Sequence, residues 1–271
     1  MAVASKRDLE TFSFTLTLGD GSKRFGYCRR FGSGSTSECF CLISERSSFS
    51  LFSVLLDIVE ERRKYNNKAV FTFLKSIQAQ PPPPAGTLFK VSTFSASGSS
   101  DPDSYELEVP LPNEFLLDYV SYRSLFKCLQ VEDVVTLFEA LLRECRIVFL
   151  SKSLGRLSSC GHAATAMLTP FAWQYVFIPV LPASLLDYCS APMPFIVGVV
   201  ASAERRMNKQ PMEEVLLIDL DKGCIKRRPE LVELFPAERR ASLTKDLYHI
   251  KSASNTTGKW VTLILIASFS I

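Results

Sequence analysis

Three apolar runs in the second half of the chain constrain its fold more than any other feature. Ile147–Leu150 and Phe195–Val200 contain no polar side chain, and Val215–Asp219 carries one only at its last position. A strand needs such a run when both of its faces are buried, and strands of this kind are typical of parallel sheets covered by helices. The runs therefore predict a central, mostly parallel sheet.

Helical patterns precede and separate these runs. A helix is predicted to begin at Glu132 and Asp133, because the apolar residues there recur at helical spacing and acidic residues favour a helix N-terminus. The alternation of strands and helices predicts an α/β lobe. The other elements predicted in this half are a helix at Ser153–Leu168, a strand at Tyr175–Val180, a helical turn at Ala183–Tyr188 and a charged helix at Leu231–Ile250.

The N-terminal part of the chain has a different pattern. Thr11–Leu18 alternates polar and apolar residues with a period of two, as a half-buried strand does. Gly19–Gly21 suits a tight turn, and Arg24–Phe31 follows as the returning strand of a hairpin. The further elements predicted here are a strand at Glu38–Ile43, a helix capped by Ser47 or Ser48 that runs to about Tyr65, a short element at Val70–Ile77 and a strand at Leu88–Phe94.

A stretch rich in Ser, Gly, Asp and Pro, Ser95–Ser104, separates the two patterns and can bury little apolar surface. We therefore predict a first lobe over residues 1–95, a linker over residues 96–112 and a second lobe over residues 113–251. Residues 252–271 form a predicted apolar tail, whose run Trp260–Ile271 is shorter than the roughly 20 residues of a membrane-spanning helix. An edge strand or an exposed tail is favoured over a membrane anchor.

Charge and cysteine content favour an intracellular protein that does not bind nucleic acid. The net charge is only +3, and the basic residues are scattered in pairs near acidic ones, which is typical of solvated surface. The N-terminus has no apolar run of the kind that a signal peptide requires, so a cytoplasmic location is predicted. Six of the eight cysteines lie among apolar or helical neighbours and are predicted to be buried, reduced thiols: Cys28, Cys128, Cys145, Cys160, Cys189 and Cys224.

No arrangement of residues predicts a catalytic or metal site. Cys39 and Cys41 form a C-x-C pair, but no second pair stands at zinc-finger spacing. Cys160 and His162 lie two residues apart, which on a helix directs them to different faces, and no third group is positioned to orient the histidine. We therefore predict no catalytic residue, no metal and no cofactor.

One enzymatic alternative stays open at the end of a buried strand. Asp219 and Asp221 resemble the magnesium-binding pair of haloacid-dehalogenase-like phosphatases. Lys222 and Gly223 stand where that pattern expects a small hydroxyl residue. An Asp-x-Asp sequence leading into Lys-Gly is also common in turns that end a strand, and the turn is the favoured interpretation.

A proline-rich run, Phe171–Gly198, is the most distinctive feature of the second lobe. Its prolines bracket buried strands closely, which restricts the connecting loops and removes donors from the strand ends. The run predicts a rigid rim of turns that carries Trp173, Met193 and Phe195, residue types favoured at protein contacts. The alternative is that the aromatic residues belong to the core, as we predict for Phe177 and Phe195.

These residues resemble the DENN-domain family. Trp173–Gly198, together with Arg146–Phe149 and Leu157–Cys160, is similar to the core DENN module. The hairpin formed by Phe12–Phe14 and Arg24–Arg30 resembles the upstream DENN module of the class-2 branch. The resemblance implies an α/β fold in which a longin-like α+β N-terminal lobe is followed by an α/β core lobe with a mostly parallel sheet.

The resemblance also implies a function, namely guanine-nucleotide exchange on a Rab-family small GTPase, without covalent catalysis. In the family the Rab docks across the two lobes, and the exchange factor is recruited peripherally to trafficking membranes. Matching the family motif residue by residue assigns four Rab-contact residues: Trp173, Asp187, Pro192 and Met193. The alternative is an interaction module that binds a Rab without exchanging its nucleotide.

The chain departs from the family pattern at both ends. About ten residues precede the hairpin, fewer than the upstream module has in the family, so that module is expected to be partial. The helical downstream DENN module is not recognisable, and Trp260–Ile271 resembles nothing in the family. We therefore expect a truncated or alternatively spliced form, whose core lobe exposes apolar surface that the tail covers in part.

Overall fold

A computed structural model describes residues 9–32, 37–45, 48–81, 83–84, 86–93, 103–109, 122–230 and 234–252. Its N-terminal part consists of β1 (Leu9–Thr17), β2 (Lys23–Phe31), β3 (Glu38–Ser44), α1 (Phe49–Arg63), α2 (Asn67–Gln78), β4 (Leu88–Thr93) and β5 (Asp103–Glu108). The first three strands form an antiparallel sheet in the order β1-β2-β3, as the alternating pattern of the hairpin predicts. The predicted apolar tail, residues 252–271, lies outside the described residues except for its first residue, which ends the last helix.

One face of this sheet packs on α1. The ring of Tyr27 on β2 stacks on Phe52 at 4.4 Å and meets Phe49 edge-on at 5.2 Å. The Arg29 side chain is buried on the same face and pairs with Asp57 and Glu60 of α1. Aromatic stacking and a buried guanidinium therefore hold the helix against the sheet.

Two elements of this lobe differ from the sequence prediction. The short element at Val70–Ile77 is a full helix, α2, and the Asn66 side chain caps it by accepting a hydrogen bond from the Ala69 amide at 2.8 Å. The segment predicted as a linker, residues 96–112, contains the strand β5, which pairs with β4 along its whole length. The buried Arg62 of α1 holds β5, because its guanidinium pairs with Asp103 at 2.7 Å and lies against the Tyr105 ring.

The second part of the chain holds the predicted α/β architecture. Its elements are α3 (Arg123–Cys128), α4 (Val131–Leu142), β6 (Arg146–Ser151), α5 (Leu154–Ala166), β7 (Val176–Leu181), a 3₁₀ helix (Ala183–Ser190), β8 (Phe195–Val200), a 3₁₀ turn (Ala201–Ala203), α6 (Glu204–Met207), β9 (Val215–Asp219), β10 (Cys224–Arg227) and α7 (Ala237–Ser252). The five strands lie in the order β10-β9-β6-β8-β7. All neighbouring pairs are parallel except β9 and β10, which confirms the predicted mostly parallel sheet.

The three apolar runs occupy the centre of this sheet. β6 lies between β8 and β9, and the side chains of all three strands are buried almost throughout. Helices α4 and α5 contribute buried residues to the core on one side, whereas the 3₁₀ helix and α6 contribute to a second apolar cluster. Helix α5 approaches the sheet closely because it is rich in small residues. Within the sheet, Gly198 of β8 lies so near Pro179 of the neighbouring strand β7 that an added Cβ would meet the Pro179 carbonyl oxygen at 2.0 Å.

Helix α7 runs antiparallel to α4 and is fixed by a buried carboxylate. The fully buried Glu139 of α4 accepts hydrogen bonds from the amides of Leu234 and Phe235, each at 3.1 Å, and from the Arg240 guanidinium at 2.7 Å. At the other end of the pair, the Lys251 ammonium reaches the Leu129 carbonyl at 3.5 Å. Polar contacts thus hold both ends of α7, through Arg240 near its start and Tyr248 and Lys251 near its end.

The N-terminal sheet docks on the second lobe through β1, which contacts α5 and β7. The Glu10 carboxylate of β1 accepts hydrogen bonds from the Ser153 hydroxyl at 2.8 Å and the Gly155 amide at 3.2 Å, at the N-terminus of α5. Farther along the strand, the buried Ser13 hydroxyl meets His162 Nε2 at 3.0 Å. The two lobes therefore share a specific polar contact surface.

Within the described parts of the chain, no helix is both long enough and apolar enough to span a bilayer.

Candidate partner-binding surface

The proline-rich run places most of its exposed apolar side chains at one edge of the core sheet. Because Val176 of β7 pairs in parallel with Phe195 of β8, the residues that precede both strands lie at the same edge. The 3₁₀ helix connects the far end of β7 back to this edge. We call the resulting surface the rim, and define it by Phe171, Trp173, Tyr175, Leu185, Asp187, Tyr188, Pro192 and Met193.

Trp173 is half-buried, and a hydrogen bond and a ring contact hold its side chain in place. Its indole Nε1 donates a hydrogen bond to the Val176 carbonyl at 3.2 Å, and its ring meets Tyr175 edge-on at 5.5 Å. The side chain also packs against the hydrophobic core of the second lobe. Trp173 therefore serves the packing of the rim, and only part of its ring faces solvent.

Asp187 lies exposed on the 3₁₀ helix. Its Oδ1 accepts a hydrogen bond from the Gln210 amide at 2.9 Å, which leaves the carboxylate oriented at the surface. The same helix buries Leu186 and Cys189 but exposes Leu185 at 43% and Tyr188 at 47%. Buried and exposed positions thus each recur after three residues, with Leu186 and Cys189 towards the core and Leu185 and Tyr188 towards solvent.

The turn before β8 carries the other two predicted contact residues. Pro192 is exposed, and the side chain of Met193 is 52% exposed although it neighbours the buried strand. The structure thus places Trp173, Pro192 and Met193 at one sheet edge, with Asp187 on the helix that leads to it. Phe195 and Phe177 behave as the core alternative expects: Phe195 is buried, and Phe177 packs on the core.

Sequence reasoning missed four members of the rim. Phe171 is 61% exposed and Tyr175 is 38% exposed, and both belong to the proline-rich run Phe171–Gly198. The Tyr175 hydroxyl donates a hydrogen bond to Glu144 at 2.7 Å, and this bond raises the pKa of the tyrosine above its usual value. Leu185 and Tyr188 could have been found from the three-residue spacing of buried and exposed positions in the helical turn. The rim combines exposed aromatic and methionine side chains with acidic groups.

The opposite edge of the sheet holds an open, polar cavity of about 720 Å³. It is lined by Lys127, Cys128, Arg156 and Lys222, among others, and it includes Asp221. Hydrogen bonds from the Ser151 hydroxyl at 2.8 Å and the Lys152 amide at 2.7 Å occupy this carboxylate, and Arg156 pairs with it. The aspartate thereby fixes the loop after β6.

The second aspartate of the pair is occupied in the same way. Asp219 Oδ1 accepts hydrogen bonds from the amides of Asp221 and Lys222, each at 3.0 Å, and Oδ2 pairs with Lys226 at 2.9 Å. Gly223 has a positive φ of 69° and donates its amide proton to the Asp219 carbonyl. These bonds are those of a strand-ending turn, which supports that interpretation over the phosphatase motif.

The other candidate for chemistry that the sequence offers, His162, serves a structural contact. His162 lies between the rings of Phe49 and Phe177, and burial lowers its pKa to about 4. Three of the six cysteines predicted to be buried, Cys128, Cys145 and Cys224, are only half-buried. Among the described residues, no group of three or more His, Cys, Asp and Glu side chains is arranged to hold a metal ion.

Comparisons with known proteins agree with this architecture. Human DENN domain-containing protein 2B is 40% identical over 248 residues, which cover 90% of this chain and 22% of that protein. The human 2C protein is 39% identical over 244 residues (88% of this chain, 26% of the relative), and human 2D is 39% identical over 219 residues (79% and 45%). The chain thus spans about a quarter of the length of 2B and 2C, and under half that of 2D.

Two family models match the chain one after the other. The uDENN domain model matches residues 2–31, which include the hairpin β1–β2. The DENN (AEX-3) domain model matches residues 35–223, from the start of β3 to the turn after β9, and so includes the rim. Because the second match alone spans most of the sequence, the chain belongs to the DENN-domain family.

Proposed function

We propose that this chain promotes the exchange of GDP for GTP on a Rab-family small GTPase. The observation that carries the proposal is family membership, since DENN-domain proteins are generally Rab exchange factors and the match to residues 35–223 spans both lobes. Exchange needs no covalent chemistry. The occupied aspartate pair and the structural histidine are consistent with a protein that acts by binding alone.

The rim supplies the contact chemistry that this function needs. An exchange factor acts by binding the nucleotide-free state of its GTPase more tightly than the nucleotide-bound state, so its surface must hold the switch regions in one arrangement. Met193, Tyr188 and Leu185 offer exposed apolar contacts, and large or flexible side chains of this type carry much of the energy at protein interfaces. The Asp187 carboxylate suits a cationic side chain or a backbone amide of the partner.

The docked lobes give this surface a rigid support. In the proposed arrangement, a first lobe that ends with β5 and a second lobe that begins near α3 bind one GTPase jointly. Glu10, Ser13 and His162 connect the lobes, so a partner that touches both meets a fixed geometry. We also propose that the chain reaches trafficking membranes peripherally, through the GTPase.

The test is the release of fluorescent GDP from a panel of purified Rab proteins in the presence of this chain. We expect at least one Rab to lose nucleotide faster, and Met193→Asp to reduce the acceleration. Tyr248→Lys is the control, because Tyr248 is 44% exposed on α7 of the same lobe and bonds to Glu132 at the start of α4, whereas Glu144, beyond the other end of α4, is the residue that bonds to the rim. Acceleration that both variants reduce equally would argue against the rim.

The second candidate is a module that binds a Rab without exchanging its nucleotide. The observation that favours it is coverage, because the chain spans only 22% to 45% of the length of the relatives compared above. The same assay separates the two candidates. Binding to a Rab without faster GDP release, measured on the same preparation, would replace exchange by scaffolding.

A further inference from the structure

Three cysteines meet on one face of the N-terminal sheet. Cys28 of β2 lies directly opposite Cys41 of β3, and Cys39 lies two residues before Cys41, opposite Arg30. Side chains alternate between the faces of a strand, so residues in these register positions share a face. Phe12 of β1 lies opposite Cys28 on its other side.

This face of the sheet is turned away from α1. The helix packs on the side chains of Tyr27 and Arg29, which alternate with Cys28 and therefore point to the other face. Cys28 is buried, whereas Cys39 and Cys41 are exposed. A small reagent in solution consequently reaches Cys41 before it reaches Cys28.

The spacing of an antiparallel sheet selects one pair from the three thiols. Directly opposed residues have Cα atoms about 4.5–5.5 Å apart, which falls inside the range of about 4.4–6.8 Å found for disulfides. Diagonal neighbours such as Cys28 and Cys39 are about 7–8 Å apart, beyond that range. A bond between Cys28 and Cys41 thus needs little backbone movement, and one between Cys28 and Cys39 needs more.

Contact between the opposed thiols also makes them chemically unequal. A hydrogen bond from the Cys28 thiol lowers the pKa of Cys41 to about 7, and the same contact together with burial raises the pKa of Cys28. Cys41 is therefore substantially a thiolate near neutral pH, and thiolates are the reactive form of cysteine. Cys28 keeps its proton until its partner has reacted.

We propose that Cys28 and Cys41 form a reversible dithiol–disulfide site whose oxidant is a hydroperoxide. The Cys41 thiolate attacks the terminal oxygen of the peroxide, the O–O bond breaks, and the leaving oxygen takes up a proton, which yields Cys41 sulfenic acid. The Cys28 sulfur then attacks the Cys41 sulfur. The S–O bond breaks, and hydroxide leaves with the Cys28 proton as water.

The balance is two thiols and one hydrogen peroxide giving one disulfide and two waters, with two electrons passing from sulfur to oxygen. A dithiol reductant reverses the step by thiol–disulfide exchange. The site is independent of the proposed exchange activity, since it lies on β2 and β3 and not on the rim. Its chemical consequence is a covalent link between β2 and β3.

Peptide mapping of the full chain tests the site directly. Reduced protein is treated with hydrogen peroxide, free thiols are blocked with iodoacetamide, and the chain is digested with trypsin without reduction. We expect residues 25–29, which carry Cys28, to appear linked to residues 31–46, which carry Cys41, and dithiothreitol to abolish the link. Before oxidation, Cys41 should alkylate about threefold faster at pH 7 than an ordinary cysteine, because its larger thiolate fraction outweighs its lower nucleophilicity.

Single variants assign the two partners. Cys41→Ser should lose the link, whereas Cys39→Ser and the control Cys145→Ser should retain it; Cys41 is exposed, so its replacement leaves the fold intact. In Cys28→Ser, whose hydroxyl can still donate a hydrogen bond to Cys41 but cannot form a disulfide, the sulfenic acid should persist on Cys41 and react with dimedone. Persistence of the link in Cys41→Ser, its loss in Cys39→Ser, or no dimedone adduct on Cys41 in Cys28→Ser would overturn the proposal.

Discussion

His162 occupies a place where its protonation is costly. The imidazole lies between two aromatic rings and bonds to Ser13 across the contact between the lobes, and burial lowers its pKa to about 4. In the unfolded chain the pKa of a histidine is about 6.5. The folded protein thus binds fewer protons than the unfolded chain as the pH falls from about 6.5 to 4.

We expect this histidine to make the fold sensitive to acid. Stability is retained above pH 6.5 and falls progressively between pH 6.5 and 4, by about 2 kcal/mol at pH 5 from this group alone. Urea unfolding at pH 7 and pH 5 measures the loss in the free energy of unfolding. In His162→Gln the remaining loss comes from other titrating groups such as the carboxylates, so the difference between the two proteins is the contribution of His162. An equal loss of stability in the two proteins would show that His162 is not responsible.

Trp173 and Asp187 differ in what they contribute to the rim. The indole is half-buried, packs on the core and bonds to the backbone of β7. The aspartate is exposed, its carboxylate accepts a hydrogen bond from the Gln210 side chain, and its carbonyl accepts one from the Ser190 hydroxyl. A large residue that serves packing cannot be removed without a cost to folding.

The two residues should therefore respond differently to alanine substitution. Asp187→Ala should weaken Rab binding by about 1–2 kcal/mol and leave the melting temperature unchanged. Trp173→Ala should weaken binding and also lower the free energy of unfolding by about 3 kcal/mol. Isothermal titration and thermal denaturation of both variants check this, and a lower melting temperature for Asp187→Ala would assign that residue to the fold instead.

At the scale of elements, the sequence predicts what apolar periodicity encodes and misses what polar contacts decide. The strands β6, β8 and β9 were located to within a residue because continuous apolar runs are a strong signal. β5 (Asp103–Glu108) falls inside the predicted linker, because its sequence is short and mostly polar and its place depends on the distant Arg62.

In the candidate site, too, local sequence patterns predict some features and tertiary contacts decide the others. Prolines around buried strands located the rim, since they restrict backbone geometry locally. Leu185 and Tyr188 are exposed because buried and exposed side chains recur every three residues along the 3₁₀ helix. The period of an α-helix, about four residues, does not predict this pattern. The half-burial of Trp173 depends on tertiary packing that no local pattern records.

The attachment of β5 to α1 can be tested at one ion pair. Asp103→Ala leaves the fully buried Arg62 without this carboxylate, and we expect a loss of about 3 kcal/mol in the free energy of unfolding. Glu106→Ala on the same strand is the control, because its pair with Lys90 is solvent-exposed and should contribute under about 1 kcal/mol. Equal effects in chemical denaturation would mean that β5 is held by its pairing with β4 alone.

For the whole molecule, the relation between the two lobes rests on the N-terminus of α5. The Glu10 carboxylate of β1 faces the first amides of that helix, where the helix dipole favours negative charge, and also pairs with Arg30 at 2.5 Å. The backbone of β1 passes so close to α5 that a Cβ on Gly155 would meet the Thr11 carbonyl oxygen at 2.5 Å. Charge and close approach together fix how the lobes meet.

Removing the charge should loosen this contact. We expect Glu10→Gln to lower the free energy of unfolding by about 1–2 kcal/mol, since the amide keeps the shape of the side chain but neither the ion pair nor the favourable dipole interaction. Glu45→Gln serves as the control: its pair with Arg24 lies on the same sheet with the carboxylate 74% exposed, so a change within about 1 kcal/mol is expected. Denaturation curves at low and high salt should show the Glu10 effect in both.

Filling the close approach tests the same docking sterically. In a free helix, Gly→Ala stabilises by about 1 kcal/mol. Gly155→Ala should instead destabilise the protein by about 1–3 kcal/mol, because the methyl group must displace the backbone of β1. A rise in melting temperature for this variant would show that β1 does not pack on α5 in solution.

The antiparallel alignment of α7 with α4 also determines on which side of the molecule α7 ends. Helix α4 has 12 residues and is therefore about 18 Å long; Glu144, beyond its C-terminal end, bonds to the rim through Tyr175, and Leu129, before its N-terminal end, touches Lys251. Lys251 and Ser252, at the end of α7, thus lie at the edge away from the rim. A probe, a lipid or a neighbouring protein joined to either residue leaves the rim open to solution, so the molecule can be held at one edge while it receives its partner at the other.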